Sequence, residues 1–417
     1  MNDSLEVWVD ADFMTERLRV GTIAHDRGAV RFSYDPDWIQ HASSFSLDPD
    51  LSLGEGVFHP SPELGNFRVF DDSSPDRWGQ MLMKRREALA AKDEGRIART
   101  LYAWDYLLGV QDLTRQGALR FRRPGEAAFL AHEALPAPPV ASLRELESVA
   151  REITAKRIDD LDALRRWLTV LVAPGASLGG ARPKANFTED DGSLWIAKFP
   201  ARDDERDVGA WEFLTHELAQ RCGIDVPAAK TRRFGPDFHT FCVQRFDRAA
   251  GRRRFYASAM AMLRKEHSEG TSYLEIAEFL HHRGAKDHVA GDLEQLFRRV
   301  VFNVAVGNRD DHLRNHGYLL TPTGWRLAPA FDVNPNTDTA DHVLNLDETD
   351  NRPSLATVIA TAEWYLPSKD RGATIAAEIV SEVRHWREAA ARLSISRADI
   401  ELTAAAFAQA AAFPRAS

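Results

Sequence analysis

One stretch of the sequence constrains the chain more than any other, the run GNRDDHLRNHGYLL at 307–320. It places two adjacent aspartates, two histidines, two arginines and two asparagines between an apolar pattern with helical spacing and an apolar pattern typical of a strand. A connection between a helix and a strand needs only a turn, and loops are where binding and catalytic residues concentrate. The run therefore indicates a functional loop.

The helix before this loop is predicted from the spacing of its apolar residues, which recur at the intervals of one buried helical face. Asp292 is predicted to cap the start of the helix and Gly307 to end it. The polar loop thus begins where a buried helix stops. The apolar face comprises Leu293, Leu296, Phe297, Val300, Val301 and Val304.

Within the loop, Arg309, Asp310 and Asn315 give the spacing R-D-x-x-x-x-N. Protein kinases use this spacing in their catalytic loop, where the aspartate accepts the proton of the substrate hydroxyl and the asparagine binds magnesium. A second acid, Asp332, follows a short predicted hairpin, which is where a kinase places its magnesium-binding aspartate. The phenylalanine and glycine that kinases carry after that aspartate are replaced here by valine and asparagine. The pattern predicts phosphoryl transfer, with Arg309 as a brace.

The parts that would bind a nucleotide occur upstream in the order that a kinase requires. Lys198 lies on the strand pattern LWIAKFP, as does the kinase lysine that contacts nucleotide phosphates, and Glu212 on the next predicted helix is a candidate ion-pair partner. Glycine-rich PGASLGGARPK at 174–184 precedes them, and small residues let backbone N–H groups approach phosphate oxygens. The other predicted nucleotide contacts are Gly179, Gly180, Ala181 and Lys184 in this loop, and Gln244, Arg245 and Phe246 near the adenine.

Five runs carry these residues: SLGGARPK at 177–184, WIAKFP at 195–200, VQRFDR at 243–248, NRDDHLRN at 308–315 and AFD at 330–332. Together they resemble the HipA family of toxin serine/threonine kinases. The opening strand pattern and FDDSSPDRWGQ at 70–80 also resemble the N-terminal subdomain of that family. The resemblance therefore extends over nearly the whole chain.

The resemblance implies a role for each matching residue. Asp310 corresponds to the catalytic aspartate, and Asn315 and Asp332 correspond to the ligands of Mg²⁺. Lys198 corresponds to the lysine that binds ATP, and His312 to a histidine that lines the nucleotide site.

Ser177 corresponds to the serine that members of the family autophosphorylate to switch themselves off. A phosphate there would add about two negative charges to a loop that otherwise holds the phosphates of the nucleotide.

Two residues depart from the family pattern. Gln244 stands where a hinge glutamate often occurs, and Asp311 replaces a common glycine and has no assigned role.

The resemblance also implies a biological activity. Such a toxin kinase phosphorylates a serine of an aminoacyl-tRNA synthetase, with glutamyl-tRNA synthetase the leading candidate, and so slows translation and promotes growth arrest and persistence. It further implies a HipB-like helix-turn-helix antitoxin, through which the pair would bind operator DNA.

Three other functions fit parts of the pattern. A metal-dependent phosphohydrolase would use Asp311, His312 and His316 as ligands, but needs further ligands elsewhere. A catalytically weak protein that binds nucleotide and acts as a corepressor with its antitoxin has no need of the retained base and metal ligands. A small-molecule kinase would use the same phosphate-binding parts, so the sequence does not separate it from a protein kinase.

Several candidate residues also have an ordinary structural interpretation. Glu212 can be an exposed helix carboxylate, Lys184 a solvent-facing hairpin lysine, Ser177 a plain loop residue and His312 a brace within its loop. Other residues are predicted to be structural from the outset: Asp48, Asp50 and the acidic run at 201–207 as solvated faces, His281 and His282 as surface, and Trp195 and Trp211 as core.

The order of patterns predicts an α+β fold of the two-lobed protein-kinase type. A strand meander at 5–34 opens the chain, a proline- and alanine-rich linker follows at 124–141, two hairpins flank a helix within 171–247, and helices dominate after Phe255 apart from one hairpin. The predicted domains are an N-terminal subdomain at 1–140, a nucleotide-binding lobe at 141–247 and a helical lobe at 248–417.

Composition limits the classes of partner. The 417 residues are 44% hydrophobic and 28% charged, as in ordinary globular proteins. The net charge of −9 gives no general attraction to nucleic acid or to anionic membranes. The sequence shows neither a signal-peptide pattern nor a transmembrane run, and its two cysteines have no metal-type spacing, so we expect a cytoplasmic protein without a membrane partner.

Overall fold

The structure is a computed structural model of the chain. Its described residues are 3–130, 137–155, 182–235 and 238–414.

The chain forms two compact units, and each takes in two separate stretches of sequence. The first unit comprises Met1–Arg202 and Asp247–Arg264, and the second comprises Asp203–Phe246 and Lys265–Ser417. The domain boundaries predicted near residues 140 and 247 stay predictions.

Strands form where the sequence alternates apolar and polar residues, because every second side chain of a strand faces the core. The predicted meander and the hairpins around EDDG, GPDF and TPTG are all present. In chain order the strands are β1 (Asp3–Val9), β2 (Leu18–Asp26), β3 (Ala29–Tyr34), β4 (Leu119–Arg122), β5 (Lys184–Thr188), β6 (Leu194–Lys198), β7 (Ala229–Arg232), β8 (Thr240–Gln244), β9 (Arg248–Ala249), β10 (Arg252–Arg253), β11 (Tyr256–Ser258), β12 (Gly317–Thr321) and β13 (Gly324–Leu327).

Helices occupy the runs with helical spacing, although two predicted runs are longer than the helices described. The helical spacing of ARTLYAWDYLLGV at 98–110 predicts a helix, and only Ala103–Leu108 forms one, while the helical pattern that begins at SLRELESVAREITA after the linker is described only as far as Ala155. In chain order the helices are α1 (Pro36–Gln40), α2 (Arg68–Asp72), α3 (Arg77–Asp93), α4 (Ala103–Leu108), α5 (Leu143–Ala155), α6 (Val208–Arg221), α7 (Ala259–Met262), α8 (Tyr273–Arg283), α9 (Val289–Val306), α10 (Leu355–Ala360), α11 (Lys369–Val383), α12 (Trp386–Arg392), α13 (Arg397–Thr403) and α14 (Ala408–Ala412).

The meander of the first unit is completed by a strand that returns from much later in the sequence. The sheet has the order β3-β2-β1-β4, with β1 paired antiparallel to both of its neighbours. Leu5, Val7 and Val9 on β1 are fully buried, as the alternation requires, and Val7 pairs with Phe121 on β4. The sheet therefore joins strands that are distant in sequence.

Helix α6 in the second unit is the amphipathic helix that the sequence predicts. Asp207 caps its first turn by accepting from the Ala210 N–H at 3.0 Å, and Trp211 on its buried face packs against the rings of Trp386 and Phe407. Cys222 at its C-terminal end is buried and forms no disulfide, and burial raises the pKa of its thiol to about 12.

Helix α9 ends as predicted but begins earlier than predicted. Gly307 ends it with φ of 66°, and a Cβ at this position would lie 2.4 Å from the carbonyl oxygen of Ala406, so only glycine fits. The prediction that Asp292 caps the start is wrong, because a 3-10 turn runs directly into the helix at Val289. Asp292 is buried instead and accepts two hydrogen bonds from Arg326 on β13.

The stretch between β13 and α10 contradicts the prediction that helix continues after the last hairpin. Residues 328–354 contain no helix. They are rich in aspartate, asparagine and proline, whose side chains favour turns over helix. This irregular stretch carries Asp332.

Two predictions of solvated carboxylates are wrong. Asp48 is only 1% exposed and accepts from the N–H groups of Asp50 and Val69, and burial raises its pKa. Asp207 is buried as the cap of α6 and also lies 2.6 Å from Nδ1 of His239. A carboxylate is stable inside a protein when N–H donors surround it, and the partners of Asp48 and Asp207 include donors at least twenty residues away in sequence.

Candidate active site

The catalytic-loop candidate lies between the end of α9 and the start of β12, within the second unit. Asp310 points its carboxylate to solvent, with 69% of its side chain exposed, which suits a group that must meet a substrate hydroxyl. Nε2 of His312 lies 4.0 Å from that carboxylate, and a 3-10 turn at Leu313–Asn315 follows. The turn is held by a hydrogen bond from Leu313 N–H to the hydroxyl of Ser268.

Asn315 turns its side chain back toward the catalytic aspartate. Its Nδ2 donates to the main-chain carbonyl of Asp310 at 2.8 Å, which fixes the direction of the amide. Its Oδ1 is buried and accepts no hydrogen bond within the described ranges of the chain. A buried carbonyl oxygen without a donor is costly, and oxygen is the ligand type that Mg²⁺ prefers. This orphaned oxygen fits a magnesium ligand.

Asp332 lies in a conformation that is uncommon for a residue other than glycine, with φ of 58°. Its neighbours Phe331 and Val333 line a cavity of about 20 Å³ together with Asn315. Backbone strain of this kind costs of order 1–3 kcal/mol and persists at functional sites. A carboxylate and an amide oxygen are ligand types that a hard cation prefers, so the prediction that Asp332 and Asn315 share Mg²⁺ stays a prediction.

Two other elements of the second unit reach the same backbone. The hydroxyl of Thr215 on α6 donates to the carbonyl of Val333 at 2.6 Å, one turn along the helix from Glu212. The ring of Phe246, just beyond β8, lies 5.3 Å from the ring of Phe331. The predicted adenine-side residue and the helix with the predicted glutamate are therefore both anchored beside Asp332.

Asp311, which the sequence left without a role, is fully buried and accepts three hydrogen bonds. Its Oδ2 accepts from the Tyr273 hydroxyl at 2.6 Å and lies 2.9 Å from Nδ1 of His342, while its Oδ1 accepts from the Val343 N–H at 2.9 Å. The Tyr273 hydroxyl in turn accepts from Asn303 on α9. Asp311 therefore ties the loop to α8, to α9 and to the irregular stretch.

The arrangement does not favour the phosphohydrolase alternative. His316 is buried, its ring packs edge-on against Tyr273, and burial lowers its pKa to about 4. Asp311 is surrounded by donors rather than by metal ligands. Within the part of the chain that the structure describes, no group of three or more histidine, cysteine, aspartate or glutamate side chains is placed to hold a metal ion.

The candidate lysines lie on the hairpin of β5 and β6 in the first unit. Lys184 and Lys198 are paired directly across the two strands, and both are buried. The Lys184 ammonium lies 2.7 Å from Oδ2 of Asp76, whose Oδ1 also caps α3. Lys184 is thus not the solvent-facing lysine of the structural interpretation. A phosphate contact stays a prediction and would require its ammonium to exchange this carboxylate.

Other predicted positions are only partly tested. Ser177, Gly179, Gly180 and Ala181 lie outside the described residues. Glu212 is buried on α6 and not an exposed helix carboxylate, and its pairing with Lys198 stays a prediction. At the end of β8, Gln244 is half-buried and Arg245 is buried, and their contacts with adenine stay predictions.

Comparison with known protein families decides the relationship. A model of the HipA-like C-terminal domain matches residues 176–411, and a model of the HipA N-terminal domain matches residues 11–101. The chain belongs to the HipA family. The HipA match takes in the glycine-rich run, the strand lysine, the catalytic-loop candidate and Asp332, so the resemblance inferred from the motifs is confirmed.

Individual HipA relatives are distant. The "Serine/threonine-protein kinase toxin HipA" of Shewanella oneidensis is 25% identical over 349 residues, which cover 76% of this chain and 72% of that protein. A "Putative kinase" of Haemophilus influenzae is 25% identical over 181 residues, or 38% of this chain and 52% of that protein.

The fold agrees with a solved HipA. HipA of Shewanella oneidensis, in a complex with HipB and operator DNA, matches with a TM-score of 0.64 at 19% identity, over 97% of this chain and 95% of that one. The predicted α+β fold class is confirmed.

None of the helices in the described ranges combines the length and the apolarity that crossing a bilayer requires.

Sequence reasoning missed four residues that shape the site: Asp76, Tyr273, Thr215 and His342. Asp76 lies in FDDSSPDRWGQ, so the family resemblance pointed to its run without giving a role. The other three contact site residues that are 31 to 118 positions away along the chain, and no local spacing signals such pairs.

Proposed function

We propose that this HipA-family protein is a serine/threonine protein kinase that transfers the γ-phosphate of ATP to a serine hydroxyl. The observation that carries the proposal is the pairing of Asp310 and Asn315. The carboxylate of Asp310 is exposed, its main-chain carbonyl accepts from the Asn315 amide, and Asn315 Oδ1 is left without a donor among the described residues. The names of the two relatives, a kinase toxin and a putative kinase, support it.

In the proposed reaction Asp310 orients the serine hydroxyl and accepts its proton as the oxygen attacks phosphorus. Asn315 Oδ1 and the Asp332 carboxylate hold Mg²⁺, which when bound neutralises the charge that develops on the phosphate oxygens. His312 lies beside Asp310 and lines the nucleotide site. The chain's main contribution is to position these groups.

The residues that the sequence predicts to contact the nucleotide have separate roles in this proposal. Lys198 contacts its phosphates, oriented by Glu212, and the glycine-rich loop supplies backbone N–H donors. The residues that follow β8, with Gln244 at its end, accept the adenine. Phosphorylation of Ser177 within the loop serves as an off-switch, because its charge competes with the phosphates of ATP.

Family membership and the solved relative in complex with HipB and operator DNA motivate the biological part of the proposal. The substrate is an aminoacyl-tRNA synthetase, with glutamyl-tRNA synthetase the first to test, and its phosphorylation in the cytoplasm slows translation. A HipB-like antitoxin neutralises the toxin and carries it to operator DNA.

The test is phosphate transfer from magnesium-ATP to the chain itself and to purified synthetases. Asp310→Asn keeps the size of the side chain but removes the base, so we expect a rate loss of about 10²- to 10⁴-fold with an unchanged circular-dichroism spectrum. Asp332→Asn should raise the magnesium concentration needed for half-maximal rate, because the ligand loses its charge.

Asp287→Asn is the matched control. Asp287 is an exposed aspartate of the same unit, just before α9, whose 18 residues put its start about 27 Å from the loop at its end. If the wild-type protein binds magnesium-ATP but transfers phosphate to no acceptor, the proposed kinase activity is refuted. Operator binding with the antitoxin, unchanged in Asp310→Asn, would then favour the corepressor.

A further inference from the structure

We propose that Arg309, Asp311 and His342 are positioning residues that hold the catalytic aspartate from both sides. The two neighbours of Asp310 along the chain bind the same segment, residues 339–343, which we call the clamp segment. This inference rests on the proposed function for its kinetic consequence, but the clamp can be tested without it.

The clamp is strongest on the C-terminal side of Asp310. The side chains of Asp311 and His342 are both 0% exposed, and their contact is 2.9 Å. The carboxylate also accepts from the main-chain N–H of Val343, so Asp311 grips both the side chain and the backbone of the clamp segment. Hydrogen bonds to a buried charge are short and directional, and they hold the loop in one register.

The other side of Asp310 is held by its preceding neighbour. Arg309 donates from its guanidinium to the carbonyl of Thr339, at the start of the clamp segment. Residue 310 thus lies between two anchors that are bound to one segment, while its own carboxylate stays 69% exposed. Fixing both flanks therefore sets the direction of the exposed Asp310 side chain.

The clamp segment is itself secured, so it can serve as a reference for the loop. The N–H of His342 donates to Asn351 O at 2.9 Å, and Asn351 Nδ2 donates back to His342 O at 2.8 Å. Two residues further on, Asn345 pairs with the chain that enters α8, donating to Thr271 O and accepting from Tyr273 N–H. The clamp segment and Asn345 together therefore join the catalytic loop to the N-terminus of α8.

A purely structural role would predict a different pattern of effects from positioning. If the Asp311–His342 pair only stabilised the unit, its loss would lower the free energy of unfolding without changing the turnover of the molecules that stay folded. If it positions Asp310, nucleotide affinity stays constant while turnover falls, because a misplacement of about 1 Å can cost roughly 10²-fold in rate.

The experiment compares two substitutions of the same buried side chain. In His342→Asn the amide nitrogen takes the place of Nδ1 and keeps a donor to Asp311, whereas His342→Leu fills similar space without one. We expect His342→Leu to lose about 10²-fold in single-turnover phosphate transfer, His342→Asn to recover at least tenfold of it, and both to bind magnesium-ATP within threefold of wild type. In Asp311→Asn the side-chain amide N–H₂ would face the N–H and O–H groups that now donate to the carboxylate, so this variant should resemble His342→Leu.

His239→Leu is the matched control, since His239 also forms a histidine–aspartate contact in the second unit, with Asp207, outside the clamp. It should keep the wild-type turnover. A His342→Leu variant with wild-type turnover would overturn the proposal. So would His342→Leu and His239→Leu losing the same activity, since the effect would then be general destabilisation.

Hydrogen exchange gives a readout that does not depend on kinase activity. In His342→Leu, the amides of Leu313 and Val343 should exchange at least tenfold faster together, while amides in α11 stay protected. If wild type transfers no phosphate, the proposed function fails and this exchange result alone decides the clamp. Unchanged exchange at both amides would overturn it.

Discussion

The buried ion pair between Asp76 and Lys184 makes a quantitative prediction for the first unit. The two side chains are 3% and 2% exposed, and Oδ2 and Nζ lie 2.7 Å apart. At that distance the attraction is about 6 kcal/mol for an effective dielectric constant of 20, much of it offset by the loss of hydration. Removing one partner leaves the other charged and buried, which costs about 3–5 kcal/mol.

Asp76→Asn isolates the ion pair from the other role of this residue. Asparagine caps a helix as well as aspartate does, so the hydrogen bond from Gly79 N–H at the start of α3 should persist. The free energy of unfolding should fall by about 3–5 kcal/mol. In the double variant with Lys184→Met both charges are gone and the volume is similar, so most of that loss should be recovered.

Urea unfolding followed by circular dichroism measures the free energies, and exchange of the β5 amides reports on the hairpin locally. The double-mutant cycle should give a coupling above about 2 kcal/mol. Additive losses, with the double variant less stable than either single variant, would refute the reasoning. They would show that the two charges are stabilised independently of each other.

Two further predictions concern the second unit. Gly307→Ala should lower the free energy of unfolding by about 2–5 kcal/mol, because φ is positive and the new Cβ would clash with Ala406 O. Gly270→Ala is the control: its φ is 76° but no atom lies within 4 Å, so the loss in the same urea assay should be only about 1–2 kcal/mol. Burial lowers the pKa of His316 to about 4, so as pH falls below about 6.5 the unfolded chain binds a proton on this histidine before the folded chain does. The free energy of unfolding should therefore fall by about 2 kcal/mol between pH 7 and pH 5. In His316→Phe this contribution to the pH dependence should be absent.

The sequence predicts the elements whose signal is local. The hairpin of β5 and β6 follows from the turn EDDG between two strand-like runs, and the end of α9 follows from a glycine that no other residue can replace. The predicted start of α9 is four residues late, because Asp292 resembles a cap while its carboxylate accepts from Arg326, 34 positions away. Local propensity cannot distinguish a capping carboxylate from one with a distant partner.

The same limit explains which site residues were found. Asp310 and Asn315 were identified because kinase chemistry fixes their spacing along a single loop. Charge alone predicts solvated carboxylates at Asp48 and Asp207, because their donors in the folded chain are distant in sequence and leave no local signal. Lys184 was assigned to phosphate on the strength of its neighbours, and its nearest carboxylate is 108 positions away.

Asp311 shows what the adjacent aspartates at 310 and 311 mean physically. The two adjacent carboxylates face different surroundings, since the Asp310 side chain is 69% exposed and the Asp311 side chain is 0% exposed. A buried carboxylate is stable only where donors surround it, and here they come from Tyr273, His342 and Val343. Asp311 therefore depends on His342, 31 positions downstream. Replacing His342 should, through Asp311, also disturb the carboxylate of Asp310, which His342 does not contact.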